Sequence, residues 1–188
     1  MLPIKDLSEL KRWVELSTDY VSLPFETSLG ASLKYLAFVD YVALFTPEVM
    51  KAVGHWSRQN GLQRFAMFFT IPDPLKYFDE SGFYGLTATG DDEVSEVEEF
   101  LTDGNKWKGF FSVYDASHRF IVIPEGRSWM FIGDRDADLA ILGFTTEGER
   151  QRFVDEAAIV MFDSLVDAAA HAYSSMSYTL DTAVLSLA

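Results

Sequence analysis

RFIVIPEGRSWMFIGDRDADLAILGF, residues 119–144, decides the reading of the fold. It holds three short runs, Arg119–Ile123, Ser128–Gly133 and Leu139–Phe144, each rich in β-branched and aromatic side chains. Such side chains favour a pleated, packed surface. Between the runs lie Pro124-Glu125-Gly126 and Asp134 to Ala137. These residues bend a chain: Pro presets φ, Gly accepts positive φ, and Asp hydrogen-bonds its own backbone. Adding the run Phe110–Tyr114 and the turn Asp115-Ala116-Ser117, the spacing predicts an antiparallel meander over Lys108–Thr145. Its aromatics, among them Trp107, Phe110, Phe111, Tyr114, Phe120, Trp129 and Phe131, read as a core-facing sheet surface.

After the meander, Thr145 or Thr146 can cap a helix, with Glu147 and Glu149 in the first turn, where they complement the helix dipole. Phe153, Ala157, Val160, Met161, Leu165 and Ala169 recur at helical spacing and predict one long helix to about Tyr173, packed on the sheet. Before the meander, Asp6 caps a predicted helix to about Leu16, with Leu7, Leu10, Trp13 and Val14 on one side. Thr18–Phe25 reads as a short strand. Residues 26–45 suit a helix through Leu33, Leu36, Val39 and Val42, although Tyr35–Phe45 also fits a buried strand; helix is the expectation. Thr46-Pro47 starts a helix to Gln59, and Asn60-Gly61 ends it. Arg64–Ile71 is apolar on both sides and predicts a central strand. Asp73-Pro74 starts a short turn of helix through Tyr77, and Phe83–Ala88 a strand. The class is α+β: a single domain over residues 1–188, mainly antiparallel, with N-terminal helices and the long C-terminal one on the sheet. Residues 175–188 read as a loosely attached apolar tail.

The chain has 188 residues, 48% of them hydrophobic and 15% aromatic, enough to bury a core. Cysteine is absent, which removes disulfide and thiolate chemistry. The charged residues of Met1–Glu15 do not read as a signal peptide, and no apolar run approaches the ~20 residues of a spanning helix. A cytoplasmic protein without a membrane partner is expected. The net charge of -14 argues against nucleic acid, whose phosphates attract cations.

That charge is concentrated. Asp79, Glu80, Asp91, Asp92, Glu93, Glu96, Glu98, Glu99 and Asp103 fall in a stretch with no Lys or Arg. Asp91–Thr102 predicts a helix with Val94, Val97, Phe100 and Leu101 as its apolar stripe, and Asp92, Glu96, Glu99 and Asp103 on another face. An exposed acidic face serves solubility, or it receives a cationic protein. A helix needing only solubility would ordinarily mix in lysines, since like charges on adjacent turns repel. A docking face is therefore the functional expectation. It comprises Asp91, Asp92, Glu93, Glu96, Glu99 and Asp103, joined by Asp134, Asp136 and Asp138 of the turn after Gly133. The partner expected is basic, and a concrete version is a bacterial immunity or inhibitor protein that neutralises a cationic toxin.

Other chemistry is weakly signalled. Asp134, Asp136 and Asp138 alternate as at the start of a calcium loop, but Leu139 stands where that loop needs Gly, and Thr145 where it needs Glu. His55, His118 and His171 are scattered singly, with no second His at helical spacing. No nucleophile elbow, phosphate-binding loop or P-loop lysine occurs. No catalytic residue, metal or cofactor is expected. Two alternatives remain. One is an enzyme or small-ligand domain with a site built from Arg119, Arg127, Arg135 and His118. The other is a homo-oligomeric module that uses the tail or an edge strand of the meander.

Overall fold

The computed structural model describes residues 2–18, 33–59, 61, 64–71, 73–81, 85–92, 95, 96, 99 and 118–176. The strands are β1 (Leu2–Pro3), β2 (Tyr35–Asp40), β3 (Phe65–Ile71), β4 (Leu86–Ala88), β5 (Arg119–Pro124), β6 (Trp129–Asp134) and β7 (Leu139–Phe144). The helices are α1 (Leu7–Thr18), α2 (Pro47–Gln59), α3 (Pro74–Ser81), α4 (Glu147–Ala157) and α5 (Leu165–Met176), with a 3-10 turn at Tyr41–Phe45. The strands make one antiparallel sheet in the order β1-β4-β3-β5-β6-β7-β2, so the fold is α+β. The expected run Phe110–Tyr114 lies outside the described residues, as does the expected strand Thr18–Phe25 apart from Thr18, which is the last residue of α1 rather than the start of a strand.

The β5-β6-β7 meander forms from the runs that the sequence marks. All three strands are buried at every position, because both faces of the sheet are covered. Residues directly opposite in antiparallel strands share a face. The register thus puts Phe69, Phe120, Trp129, Phe131, Leu142 and Phe144 together. On this side Phe153 of α4 lies 4.9 Å from Phe131 and 5.5 Å from Phe144, ring to ring. Trp56 of α2 lies 5.8 Å from Phe144, and Phe45 lies 5.2 Å from Phe120. These separations suit edge-to-face and tilted aromatic packing. Gly133 faces the 3-10 turn, and a Cβ there would stand 2.7 Å from both Leu44 and Tyr41, so only glycine admits this approach. The other face, with Phe68, Ile121, Ile123, Met130, Ile132 and Ile141, is buried as well. α1 packs on α3, and Arg64 and Arg12 tie its exposed side to the sheet through Glu9 and Glu125.

Two expectations need correction. Residues 35–40 are a strand, not a helix. The stretch is apolar on both sides, so its periodicity is indeterminate, and six-residue pairing with the open edge of β7 decides the outcome. The long C-terminal helix is two helices. Thr146 starts the first with a capping box, its hydroxyl accepting from the Glu149 N–H while Glu149 accepts from the Thr146 N–H. The helix stops where Ala158 takes the left-handed conformation, φ 49°, and the Ile159 N–H returns to the Val154 carbonyl. Residues 159–164 then run beside β2: Met161 bridges Val39, and the Phe162 N–H donates to the Phe38 carbonyl at 2.9 Å. Covering an exposed sheet edge outweighs one further helical turn. Each meander strand has a strand on both sides, so none is a free edge. Among the described residues, no helix is long and apolar enough to cross a membrane.

Left-handed alanine costs about 1–2 kcal/mol, partly offset by the entropy that glycine adds to an unfolded chain. Ala158→Gly is expected to raise stability by about 0.5–1 kcal/mol in urea unfolding. A loss would show that residue 158 is not left-handed in solution. At α1, the Asp6 carboxylate accepts the Glu9 N–H at 2.9 Å, and this bond holds its pKa below the ordinary value of 3.8. A depressed carboxyl stabilises the fold above the unfolded pKa, and that contribution is lost as pH falls through the folded value. The Glu9 amide resonance should therefore move as the pH is lowered through and below 3.8; a resonance that stays still down to pH about 2 would disprove the cap.

Candidate functional site

The acidic segment starts from a fixed point. Just after β4, the Asp92 carboxylate accepts the Thr89 N–H at 2.7 Å and the Thr89 hydroxyl at 3.2 Å, while the Asp92 N–H donates to the Thr89 carbonyl. Gly90, inside this turn, lies against α2: a Cβ on it would be 2.4 Å from the Gly54 carbonyl oxygen and 2.8 Å from the Arg58 nitrogen. Glycine thus lets the segment meet the helix backbone to backbone. Beyond it, Ser95, Glu96 and Glu99 are helical and exposed, as is the side chain of Asp91 in the turn. Glu93 and Asp103 lie outside the described residues.

Lys51 and Arg58 of α2 line a shallow recess with Gly54, Gly90, Asp91, Asp92 and Ser95. The same two cations, with His55, Gln59 and Glu156, line a second recess toward α4. The exposed side of α2 is therefore a basic strip flanked by carboxylates. The first acidic turn faces that strip, whereas Glu96 and Glu99 belong to neither recess.

The turn after β6 does not present its aspartates alike. Asp134 belongs to the interior, which corrects its place in the expected docking face. One of its oxygens accepts from Arg119 Nη2 at 2.7 Å and Nε at 3.2 Å, and the other accepts the N–H groups of Asp136 and Ala137. The cation against it comes from the opposite strand, where Arg119 and Asp134 are register partners. Asp136 projects outward and meets His118 Nδ1 at 3.2 Å. Asp138 is left-handed, φ 51°, half-buried, and meets His171 Nε2 at 3.3 Å.

Each histidine therefore has a carboxylate from a distant element. His55 Nδ1 contacts Glu156, and its Nε2 lies 2.8 Å from Gln59; His171 also has Asp40 at 3.8 Å. Sequence spacing misses these pairs because the partners sit on other elements. Phe120, Trp129 and Phe131 are core residues, as the sequence predicts; Trp107, Phe110, Phe111 and Tyr114 lie outside the described residues. Arg119 is enclosed by its ion pair.

No protein-family model, curated protein or solved structure matches this chain.

Removing one member of a buried ion pair strands the other charge, at about 3–5 kcal/mol, whereas replacing both by apolar groups costs far less. Asp134→Ala should destabilise by that amount and Arg119→Met/Asp134→Leu by clearly less, measured by denaturant unfolding. Equal losses would mean that the pair is hydrated rather than buried.

Proposed function

We propose that this protein is a non-enzymatic, acidic binding module of the cytoplasm that receives a basic protein. Its concrete form is an immunity or inhibitor protein neutralising a cationic toxin such as a nuclease. The observation that carries this reading is the exposure of Asp91, Glu96 and Glu99 on a segment anchored to α2 at Gly90, in a chain of net charge -14. Anchored charge is useful for docking because little freedom is lost when a partner arrives. An acidic surface also steers a cationic partner and raises its association rate well above the unassisted ~10⁵–10⁶ M⁻¹s⁻¹. Asp136, exposed in the turn after β6, is a further carboxylate that this reading assigns to the docking face. A small-ligand site in the meander fits less well, since Arg119 is enclosed and the strands around it are buried and largely apolar.

Glu96→Lys/Glu99→Lys tests the reading. The double variant should fold with stability within ~0.5 kcal/mol of the parent, because both side chains are exposed. Against a basic partner recovered at low salt, its association should slow at least tenfold, and the parent complex should weaken as the screening length falls below ~10 Å. An unchanged rate and salt dependence would reduce the acidic face to a solubility device.

A further inference from the structure

Asp40 ends β2, Asp138 ends the β6–β7 turn, and His171 lies on α5; the sheet brings the two aspartates together because Asp40 pairs with Leu139, the residue after Asp138, and α5 sets His171 beside them. His171 Nε2 stands 3.3 Å from Asp138 Oδ2 and 3.8 Å from Asp40 Oδ2, and the three atoms lie within 4.8 Å of one another. We propose that Asp40, Asp138 and His171 form a binding site for a divalent transition-metal ion, zinc first among them.

Geometry and charge both support the site. A tetrahedral ion with bonds of about 2.0–2.1 Å holds its ligand atoms about 3.4 Å apart, so the two separations from His171, 3.3 and 3.8 Å, are already near that spacing, and the two carboxylates, within 4.8 Å, would draw together on an ion. The Asp40 carboxylate and the Asp138 backbone are held in place. Asp40 Oδ1 accepts the Val42 N–H at 2.8 Å, which leaves Oδ2 for an ion. The backbone of Asp138 is fixed on both sides: its N–H donates to the Arg135 carbonyl at 3.1 Å, and its own carbonyl accepts the Tyr41 N–H at 3.4 Å. The His171 ring lies 4.9 Å from that of Phe162, which limits its rotation. Among the described residues, no Lys or Arg contacts either carboxylate. Two half-buried carboxylates thus converge on a single imidazole nitrogen. A neutral imidazole carries one N–H on that atom and can serve only one of them well, whereas a divalent ion in its place balances both charges and takes the nitrogen lone pair. The mixed nitrogen and oxygen set favours zinc over magnesium or calcium, which prefer oxygen alone. All three residues are half-buried, so a remaining position is open to water. The rival occupant is a proton, with imidazolium bridging the two aspartates. None of this depends on the docking face.

The full chain, stripped with chelator, is titrated with zinc chloride by calorimetry while the histidine ring resonances are followed by NMR. One equivalent of zinc should bind, move the His171 ring signals and leave those of His118 in place. Asp40→Asn and His171→Ala should each weaken binding at least tenfold, and Glu96→Lys/Glu99→Lys should leave it unchanged. Should a ligand variant fail to fold, the His171 ring signals of the parent still decide. Absence of stoichiometric binding, unmoved His171 signals, or an affinity lost with the Glu96 and Glu99 changes would overturn the site in favour of the protonated clamp or of loose ions on the acidic face.

Discussion

The buried contact between Arg119 and Asp134 is the constraint on which the rest of the structure turns. The two residues face each other at opposite ends of their strands, the start of β5 and the end of β6. Burying a charge pair is unfavourable unless every lone pair and proton finds a partner. Here one oxygen of Asp134 takes the guanidinium, and the other takes two backbone N–H groups of the following turn. One carboxylate therefore pins a strand register and curls residues 135–138. That curl sends Asp136 outward to His118 and turns Asp138 inward to His171. It also places the Asp138 carbonyl where the Tyr41 N–H reaches it, at the head of the turn that packs on Gly133.

Around this polar pin the fold is held by apolar burial. Phe131, Phe144, Phe153 and Trp56 form a continuous aromatic layer between the sheet, α2 and α4. The sheet edges shape the chain at its ends. β2 closes β7, and the link between α4 and α5 covers β2 in turn. Breaking the C-terminal helix at Ala158 thus lets the chain satisfy backbone groups along β2 that would otherwise face solvent.

The charge distribution follows from where the cations are held. Arg12 and Arg64 meet Glu125 and Glu9, Arg150 meets Glu147, and Arg119 meets Asp134. The exposed pairs add little stability, as surface ion pairs rarely exceed ~1 kcal/mol. Their consequence is positional: they occupy basic side chains in a protein that already has few. Lys51 and Arg58 sit opposite the first acidic turn, and Glu96 and Glu99 are exposed further along the segment. For the cationic partner proposed above, both signs would lie side by side, which would constrain its orientation as well as its approach.

The sequence by itself determined the elements whose information is local. Thr46-Pro47 and Thr146 mark helix starts through side chains that bond their own turn, and Gly61 ends α2 with φ 84°. The meander runs are legible because bend-forming residues separate stretches that suit only a packed pleat. Tertiary structure alone decided the rest. Residues 35–40 are apolar on both sides, so only the free edge of β7 makes them a strand. Helical spacing continues through Val160, yet the exposed edge of β2 draws Met161 and Phe162 out of the helix. The excess of acid was visible in composition, but the burial of Asp134 and the exposure of Asp136 were not, because each depends on what folds against it. Asp40, Asp138 and His171 are far apart along the chain, and no spacing rule joins them. Their convergence exists only once β2 has paired with β7 and α5 has folded back across that edge.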